Sequence, residues 1–465
     1  MSEKSSDVKH KIDRAETTDE RLSSRAGLSL ITRYIYSTCI GNLLSKLFAF
    51  AKKSSKGIKL QSLFHQIICF FFAGSNLHLT NFDELSKDEG YTASIETDSK
   101  QMASSHAVKR FFQAISMVRV WLFRRVLRRL FIWRLCIEKP DIIKIGLDTM
   151  VMDNDDALKR EGVDPTYKKV KGFQPLQMYW GRYLIDAIFR NGKAHSNHGN
   201  HAEYMVREMV KLIRKEYSKT VPIILMADTG FFDIQLFNLC DCLQIGFVIG
   251  GKMYNDIKES VVNMPENSFF KYNRNKQTWL YCEFMDKRKS WDTAWRTIYT
   301  KPISDEEGQI LLEFARPETI IYTNIGMDNS VTKSILEVKG TNDTKISPQA
   351  IITLYHQRGR DELINRGFKD FGSEHLPFKR FAPNAAFYYM MTISFFLFES
   401  FKYDIDSDII PLQWYATTFR RRCLDIAGKI VRTGRQLIMK IASSAYRNLS
   451  FDLLWKKSIC AVPIL

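Results

Sequence analysis

Apolar positions recur every three or four residues from Ser23 to Lys139, which is the spacing of helices that bury one face. The last of these segments begins after a Ser and carries Lys and Arg on one face of an otherwise apolar stretch. Residues 1–22 are polar and charged and have no such period. The pattern therefore predicts a disordered tail over 1–22 and an α-helical N-terminal region over 23–139.

The period changes at Pro140, where short apolar segments of strand length begin to alternate with helical ones. Two of the later segments are continuous apolar runs, which are typical of strands buried on both faces. The predicted elements are strands at 141–152, 173–181 and 182–192, a helix at 201–217, a strand at 221–228, a helix at 229–243 and a strand at 245–251. Three antiparallel strands that lead into parallel α/β units predict a ribonuclease H-like core.

The region over 251–345 interrupts this core with strand-like pieces between polar connections and without a long helical period. Helical patterns return afterwards, and the chain ends in a segment rich in basic residues. The expected fold class is α/β, with the α-helical N-terminal region preceding a ribonuclease H-like catalytic core. We place the core at 140–250 and 346–402, a β-rich insertion at 251–345 and a basic helical C-terminal region at 403–465.

The composition is that of a folded protein of two or three domains, since 45% of the 465 residues are hydrophobic and 26% are charged. The eight cysteines include no CxxC pair, which indicates neither a zinc site nor a disulfide framework and favours a reducing cytoplasm. The N-terminal residues lack an apolar leader, and the longest apolar stretches are shorter than the roughly 20 residues that span a bilayer. We therefore expect a soluble protein with no membrane contact.

The formal net charge of +17 favours a polyanionic partner. Residues 101–140 carry nine basic residues and one acid, and residues 411–465 carry ten basic residues and two acids, so these segments hold nearly all of the surplus. Two solvated helix faces would have the same charge pattern, and that alternative stays open. The helical N-terminal region is the part that we expect to contact DNA.

Two aspartates stand directly after the apolar runs of predicted strands, Asp148 after Ile-Lys-Ile-Gly-Leu and Asp228 after Pro-Ile-Ile-Leu-Met-Ala. A carboxylate at such a position is costly to bury without a cation, and two on neighbouring strands repel each other. A divalent cation removes both problems, and oxygen ligands suit Mg²⁺ or Mn²⁺. One strand-terminal aspartate alone is more often a cap or a turn residue, so the inference depends on the pair.

A third acid lies in a polar stripe on a predicted helix. The members of the stripe are Tyr355, Arg358, Glu362 and Lys369. At the spacing of a helix they fall within an arc of about 60°. Because the stripe follows the insertion and precedes a very apolar helix, we expect it to be half-buried beside the sheet, with Glu362 as the third ligand.

These residues carry a resemblance to a known family. The spacing Y-x-x-R-x-x-x-E-x-x-x-x-x-x-K over 355–369 resembles the Tyr-Arg-Glu-Lys (YREK) signature of a group of DDE transposases from bacterial insertion sequences. The resemblance extends over roughly residues 25–445. Further similar motifs are G-L-D at Asp148, A-D-T-G-F-F at Asp228, R-N-G-K-A-H-S at 190–196 and the basic segment 420–441.

One position departs from the pattern of that group. Many of its members have a second acid two positions after the first Asp, where this chain has Met150. Acids recur at Asp153, Asp155 and Asp156, so a shifted alignment of the first acid stays open.

The resemblance implies an enzyme that cuts DNA at the terminal inverted repeats of a mobile element and joins the ends to target DNA. Its catalytic residues and metal ligands would be Asp148, Asp228 and Glu362. They would hold two ions of Mg²⁺ or Mn²⁺, which would serve both the cleavage of DNA by water and the later attack of the freed 3′-OH. The implied partners are double-stranded DNA and a second copy of the chain in a homodimer that pairs the two ends. The implied location is the bacterial cytoplasm, at the nucleoid.

The resemblance also implies three DNA contacts, with phosphates held by Arg358 and Lys369 and the same strand packed against Tyr355. An aromatic residue of the insertion would stack on a flipped base, as in related enzymes, although core packing explains each candidate taken singly. The candidates are Trp279, Trp291 and Trp295.

Two other motifs have simpler explanations. His195, His198 and His201 invite a zinc site, but no Cys or Glu-x-x-His partner has suitable spacing, and the segment has the pattern of a strand-to-helix loop. Cys240 and Cys242 fall within an apolar helical pattern and are expected to be structural.

Two alternative functions remain at this point. A catalytically silent DNA-binding descendant would keep the basic segments without needing the three acids. A ribonuclease H-like nuclease without strand transfer would need neither the basic tail nor a helical region that recognises DNA ends. The full set of acids and signature residues favours the transposase.

Overall fold

The computed structural model describes most of the chain. The described residues are 14–52, 57–157, 159–196, 198–274, 276–304, 309–311, 317–340, 345–405 and 408–464, without the side chains of residues 198, 360 and 361. Residues 1–13 of the expected disordered tail lie outside them.

Helices occupy most of the N-terminal region, as the period of its apolar positions predicts. The long helical pattern at the end of the region is broken at 114–116 into two helices, and the first of them begins at Ser104, whose hydroxyl accepts the Ala107 N–H. The region consists of β1 (Arg21–Ser23), α1 (Leu28–Thr38), α2 (Ile40–Leu47), α3 (Leu60–Ala73), α4 (Asn81–Leu85), α5 (Glu89–Ser94), α6 (Ser105–Gln113) and α7 (Met117–Glu138).

A large mixed sheet begins after α7. Its strands β2, β8 and β9 run parallel, while β6 and β7 lie antiparallel on the other side of β2 and are joined at Gly181, whose φ of 58° suits a tight turn. A small separate sheet of order β3-β5-β4 stands next to β2 in the chain. The elements are β2 (Ile143–Thr149), β3 (Met152–Asp153), β4 (Asp164–Pro165), β5 (Lys171–Phe173), β6 (Leu176–Trp180), β7 (Tyr183–Ile188), α8 (His201–Glu216), β8 (Ile223–Ala227), α9 (Ile234–Cys242) and β9 (Gly246–Gly251).

The strands of 251–345 do not form a separate sheet. They extend the central sheet beyond β9. They pair antiparallel in the order β9-β13-β12-β11-β10, so that the whole sheet has nine strands, β10-β11-β12-β13-β9-β8-β2-β6-β7. The open edge of β9 offers unpaired backbone groups, and β13 satisfies them. The elements are α10 (Asn255–Val262), β10 (Phe270–Arg274), β11 (Gln277–Asp286), β12 (Trp295–Pro302), β13 (Thr319–Thr323) and α11 (Ser330–Lys339).

Three helices follow the sheet: α12 (Pro348–Gln357), α13 (Gly359–Phe371) and α14 (Phe381–Ile405). Nearly every residue of α14 is buried, and the helix packs against α3, α6, α7 and β7. Among the described helices it is the one that is long and apolar enough to cross a membrane by length and composition, yet 89% of its most apolar stretch is buried inside the protein. That is the position of a core helix.

The C-terminal region contains a β-hairpin as well as helices, which corrects the expectation of a helical segment over 403–465. Gly434, with φ of 61°, supplies the left-handed turn between its two strands, and the first strand pairs with β1. The elements are α15 (Ala416–Phe419), a π-helical turn (Arg420–Leu424), β14 (Gly428–Thr433), β15 (Gln436–Ile441), α16 (Ser443–Asn448) and α17 (Phe451–Lys457).

Part of the basic surplus lies inside the protein. Arg124 and Arg128 of α7 both donate hydrogen bonds to the buried Asp186 of β7, at 2.7–2.8 Å and 3.0–3.1 Å. Arg420 donates to backbone carbonyls at the ends of two helices, among them Phe72 of α3 at 2.8 Å and Phe371 of α13 at 2.6 Å. These arginines join elements to one another and are not available to DNA.

Candidate active site

The register of the parallel strands brings two of the predicted site residues together. Leu147 of β2 lies opposite Ala227 of β8; Asp148 is the next residue of β2, and Asp228 is the first residue after β8. Both carboxylates are half-buried at the same edge of the sheet. The strand-end argument from the sequence therefore predicts their adjacency correctly.

The two carboxylates repel each other. Burial, and next the charge of Asp228, raise the pKa of Asp148 to about 6, while a hydrogen bond from the Thr149 N–H and the charge of Arg358 act in the opposite direction. Asp228 also caps a short turn, since one of its oxygens accepts the Gly230 N–H at 2.9 Å. The two neighbouring carboxylates thus make this edge of the sheet acidic.

The loop that carries R-N-G-K-A-H-S lies against this turn. A Cβ on Gly230 would come within 2.7 Å of the Ser196 hydroxyl. The loop is itself held by Arg190, whose guanidinium donates to the carbonyls of His195 at 3.0 Å and Ser196 at 3.3 Å. The motif is therefore part of the wall of the site, next to Asp228.

Glu362 lies on α13 with its side chain exposed. Its charge reaches Asp148, although it is the smallest of the named influences on the pKa of that carboxyl. Among the described residues no three His, Cys, Asp or Glu side chains form a group that could hold a metal ion. The structure therefore assembles the aspartate pair and places Glu362 near it, but outside a closed three-ligand site.

Tyr355 and Arg358 face the same edge of the sheet. A Cβ on Gly250 of β9 would lie 2.5 Å from the Tyr355 hydroxyl and 2.8 Å from the hydroxyl of Thr229, the residue after Asp228. The Arg358 guanidinium lies 5.7 Å from the centre of the Tyr355 ring, and its Nε is buried without a hydrogen-bond partner among the described residues. Arg358 is the junction between α12 and α13, so the stripe spans two helices and not one.

Lys369 has a partner within the protein. Its ammonium lies 2.6 Å from a carboxylate oxygen of Glu374, and the same oxygen accepts the Asp153 N–H at 3.3 Å. The sequence stripe does not indicate this pair, because Glu374 lies beyond the end of α13.

Sequence reasoning missed two residues of the site. Asn365, one turn after Glu362 on α13, donates a hydrogen bond to Asp148 at 3.0 Å. Tyr167 is 61% exposed as a whole residue. The pKa of its hydroxyl is raised, first by partial burial and next by the charges of Asp148 and Asp228. The available signal for Asn365 was its helical spacing from Glu362. The available signal for Tyr167 was an aromatic residue directly before Lys168 and Lys169.

The tryptophans and the other motifs have different surroundings. Trp291 and Trp295 are buried core residues, whereas Trp279 of β11 is half-buried and its ring centre lies 5.1 Å from that of His356 on α12, with the two ring planes at 68°. Cys240 is buried in α9 and Cys242 is exposed. His195 is exposed and His201 is half-buried at the start of α8; the His198 side chain lies outside the described part.

The family of the chain follows from a match over nearly its whole length. The family described as transposase DDE domain, group 1, matches residues 5–457. The chain belongs to this DDE transposase family. No curated protein matches this DDE transposase.

Among solved structures, one similar chain belongs to a piggyBac transposase synaptic complex with hairpin DNA, determined by cryo-electron microscopy. It is 14% identical in sequence, and the match covers 92% of this chain and 81% of that chain with a TM-score of 0.41.

Proposed function

We propose that this DDE transposase performs cut-and-paste transposition: it cleaves DNA at the terminal inverted repeats of a mobile element and joins the ends to target DNA. The observation that carries the proposal is the aspartate pair, Asp148 and Asp228, placed side by side by strand register. Glu362 is proposed as the third catalytic residue. The signature suggests an origin in a bacterial insertion sequence, and a homodimer is proposed for the complex that pairs two ends.

The strand order supports a ribonuclease H-like catalytic core. Three antiparallel strands, β2, β6 and β7, are followed by β8 and β9, which lie parallel to β2 in the order β7-β6-β2-β8-β9. The proposed core uses these strands together with α12, α13 and α14. The remaining strands, β10–β13, extend the sheet beyond β9.

The residues fit a divalent cation such as Mg²⁺ or Mn²⁺, as two ions. Burial and next the charge of Asp228 raise the pKa of Asp148 to about 6, and a bound cation would oppose both effects by stabilising the ionised carboxylate. When bound, such ions supply Lewis-acid activation of water and stabilisation of the leaving oxygen. The ligands would be Asp148, Asp228 and Glu362.

The remaining signature residues would position the DNA strand. Arg358 has a buried donor without a partner among the described residues, which suits a phosphate oxygen. Tyr355 lies beside the Asp228 turn, where it would pack on the same strand. Lys369 would have to exchange Glu374 for a phosphate, so we expect its contact to form only when DNA is bound.

The proposal is tested by cleavage of labelled DNA that carries the element's terminal repeat, in the presence of Mg²⁺ or Mn²⁺. We expect the wild type to cut at the repeat end and Glu362→Gln to bind the DNA normally without cutting it, because the substitution removes a charged ligand at nearly constant size. Glu337→Gln, at an exposed position on α11, is the matched control and should cut like the wild type.

Equal cutting by the wild type and Glu362→Gln would contradict the assignment of the site. Tight binding without cutting by either protein would favour a silent DNA-binding descendant. Cleavage without joining of the ends to target DNA would favour a nuclease.

A further inference from the structure

The carboxylate of Asp148 is held by two hydrogen bonds, one on each oxygen. The Thr149 N–H donates to Oδ1 at 2.7 Å, and the side-chain amide of Asn365 donates to Oδ2 at 3.0 Å. A carboxylate has about four lone-pair positions, so both oxygens keep a free position for a further ligand. The two hydrogen bonds fix the plane of the carboxylate and leave a lone-pair position open on each oxygen.

Asn365 is itself held in one orientation. Its carbonyl oxygen Oδ1 accepts a hydrogen bond from the Tyr179 hydroxyl at 2.5 Å. The opposite orientation of the amide would place its oxygen against the Asp148 carboxylate, where two acceptors repel each other. Tyr179, which is 1% exposed, therefore directs the NH₂ group of Asn365 toward Asp148.

The chain of contacts continues into the core. The Tyr179 hydroxyl proton is shared between the carbonyl oxygens of Asn365 and Gln177, and the Gln177 amide donates to the Tyr388 hydroxyl of α14 at 2.7 Å. Gln177 is fully buried and lies directly opposite Asp148 in the pairing of β2 with β6. Because paired residues and their i+2 neighbours share one face of a sheet, Asp148, Gln177 and Tyr179 all face α13 and α14.

Asn365 connects the first acid to the helix of the third. It lies three residues after Glu362 on α13, a spacing that puts both side chains on one face of the helix. A bond from Asn365 to Asp148 therefore sets both the orientation of the carboxylate on β2 and the position of α13 against that strand.

We propose that Asn365 is a positioning residue for Asp148, which holds this carboxylate in the orientation that receives a divalent cation and is itself oriented by Tyr179. The inference rests on the proposed metal-dependent function. Partners of this kind, which orient a metal ligand without touching the metal, typically change metal affinity or activity by about 10–100-fold when removed.

The test is the affinity for Mn²⁺, measured by electron paramagnetic resonance on the full chain. Asn365→Leu keeps the approximate size of the side chain and removes the amide, and we expect it to bind Mn²⁺ roughly 10–100-fold more weakly. Tyr179→Phe leaves Asn365 in place but releases its orientation, so a smaller loss in the same direction is expected. Tyr179→Phe also carries the test if Asn365→Leu does not fold.

Two controls separate this inference from the function on which it rests. Asn384→Leu removes another buried amide, whose hydrogen bonds go to the backbone of Phe378, and should bind Mn²⁺ like the wild type. Asp148→Asn should lose Mn²⁺ binding. Affinities within twofold of the wild type for both Asn365→Leu and Tyr179→Phe would overturn the role of Asn365 alone, whereas equal binding by Asp148→Asn would overturn the metal site as well.

Discussion

Gly250 is the residue that lets Tyr355 reach the edge of the sheet at Asp228. A methyl group at this position would lie 2.5 Å from the Tyr355 hydroxyl and 3.0 Å from the backbone nitrogen of Thr229. The Tyr355 side chain can swing away, but the backbone at Thr229 cannot. Replacement of Gly250 therefore acts on the site without touching any of the three acids.

We expect Gly250→Ala to lower the rate of DNA cleavage by roughly 10–100-fold, because a displacement of about 1 Å at a positioning group has effects of that size. The measurement is single-turnover cleavage of labelled terminal-repeat DNA, with circular dichroism to verify the fold.

Gly359→Ala is the matched control for Gly250→Ala. Gly359 lies at the start of α13 with open space around the position of a Cβ, so the same methyl group meets nothing there. Its cleavage rate should equal that of the wild type. Equal rates for Gly250→Ala and Gly359→Ala would show that Tyr355 does not need its place beside Thr229.

At the residue scale, the sequence predicts the acids better than their partners. Asp148 and Asp228 follow from the rule that parallel strands end at one edge. The hydrogen bond from Asn365 and the ion pair of Lys369 with Glu374 do not, since the first depends on how closely α13 approaches β2 and the second on the path of the chain beyond the end of α13. That approach is set by packing in three dimensions, which the spacing of residues along the helix does not contain.

At the scale of elements, the buried cluster of Asp186, Arg124 and Arg128 joins α7 to β7. Asp186 is fully buried, and burial by itself would raise its pKa, but the charges and hydrogen bonds of Arg124 and next Arg128 outweigh burial and hold the pKa below its usual value. The ionised carboxylate is thus a structural requirement of this contact.

We expect Asp186→Asn to lower the free energy of unfolding by about 3–5 kcal/mol at neutral pH, because it leaves the buried Arg124 guanidinium without its counter-charge and removes the nearer of the two acids paired with Arg128. A depressed pKa means that the stabilisation is complete above the ordinary aspartate pKa of about 3.9 and is lost as the pH falls through the lower folded value. The wild type should therefore approach the variant in stability below about pH 4. Urea unfolding followed by circular dichroism at several pH values measures both effects.

Asp328→Asn is the control for this substitution, since Asp328 is 90% exposed in its ion pair with Lys333. We expect a change of less than about 0.5 kcal/mol. A loss for Asp186→Asn as small as that of Asp328→Asn would mean that α7 and β7 are held together by apolar packing alone.

The sequence predicts the helices and strands of the core in their order along the chain. It does not predict which later strands pair with the edges of the sheet. The strands of 251–345 have the pattern of a β-rich insertion, yet β13 pairs with β9 and makes them part of the central sheet. The hairpin of β14 and β15 lies in a segment expected to be helical, and Gly434 is the residue that marks its turn. Edge pairing of this kind depends on long-range contacts, which local periodicity does not record.

For the whole molecule, the distribution of charge decides which surface would hold DNA in the proposed function. Several arginines of α7 are buried in ion pairs, so the basic surface is smaller than the net charge of +17 indicates. The tip of the β14–β15 hairpin is different: Arg432 and Arg435 are exposed, and neither has an ion pair with a described residue. A two-stranded ribbon also fits the major groove of DNA.

We expect the double substitution Arg432→Gln, Arg435→Gln to weaken DNA binding and to reduce the slope of log affinity against log salt by about 1.8, since each phosphate contact contributes about 0.9. Fluorescence anisotropy of a labelled duplex at several salt concentrations measures the slope.

The matched control is Lys87→Gln, Lys333→Gln, which removes two exposed charges that are already paired with Glu84 and Asp328. Its slope should stay close to that of the wild type. A slope that is unchanged in the hairpin variant would place the DNA elsewhere on the molecule.

The pairing of β1 with β14 has a consequence for synthesis on the ribosome. Arg21 of β1 pairs with Ile430 of β14, which is translated about 400 residues later. At about 5–20 residues per second, the first strand waits on the order of 20–80 seconds before its partner has been translated. A message cut short before β14 would yield a polypeptide in which β1 lacks the strand that it pairs with. Translation through β14 therefore decides when β1 can take its place in a sheet.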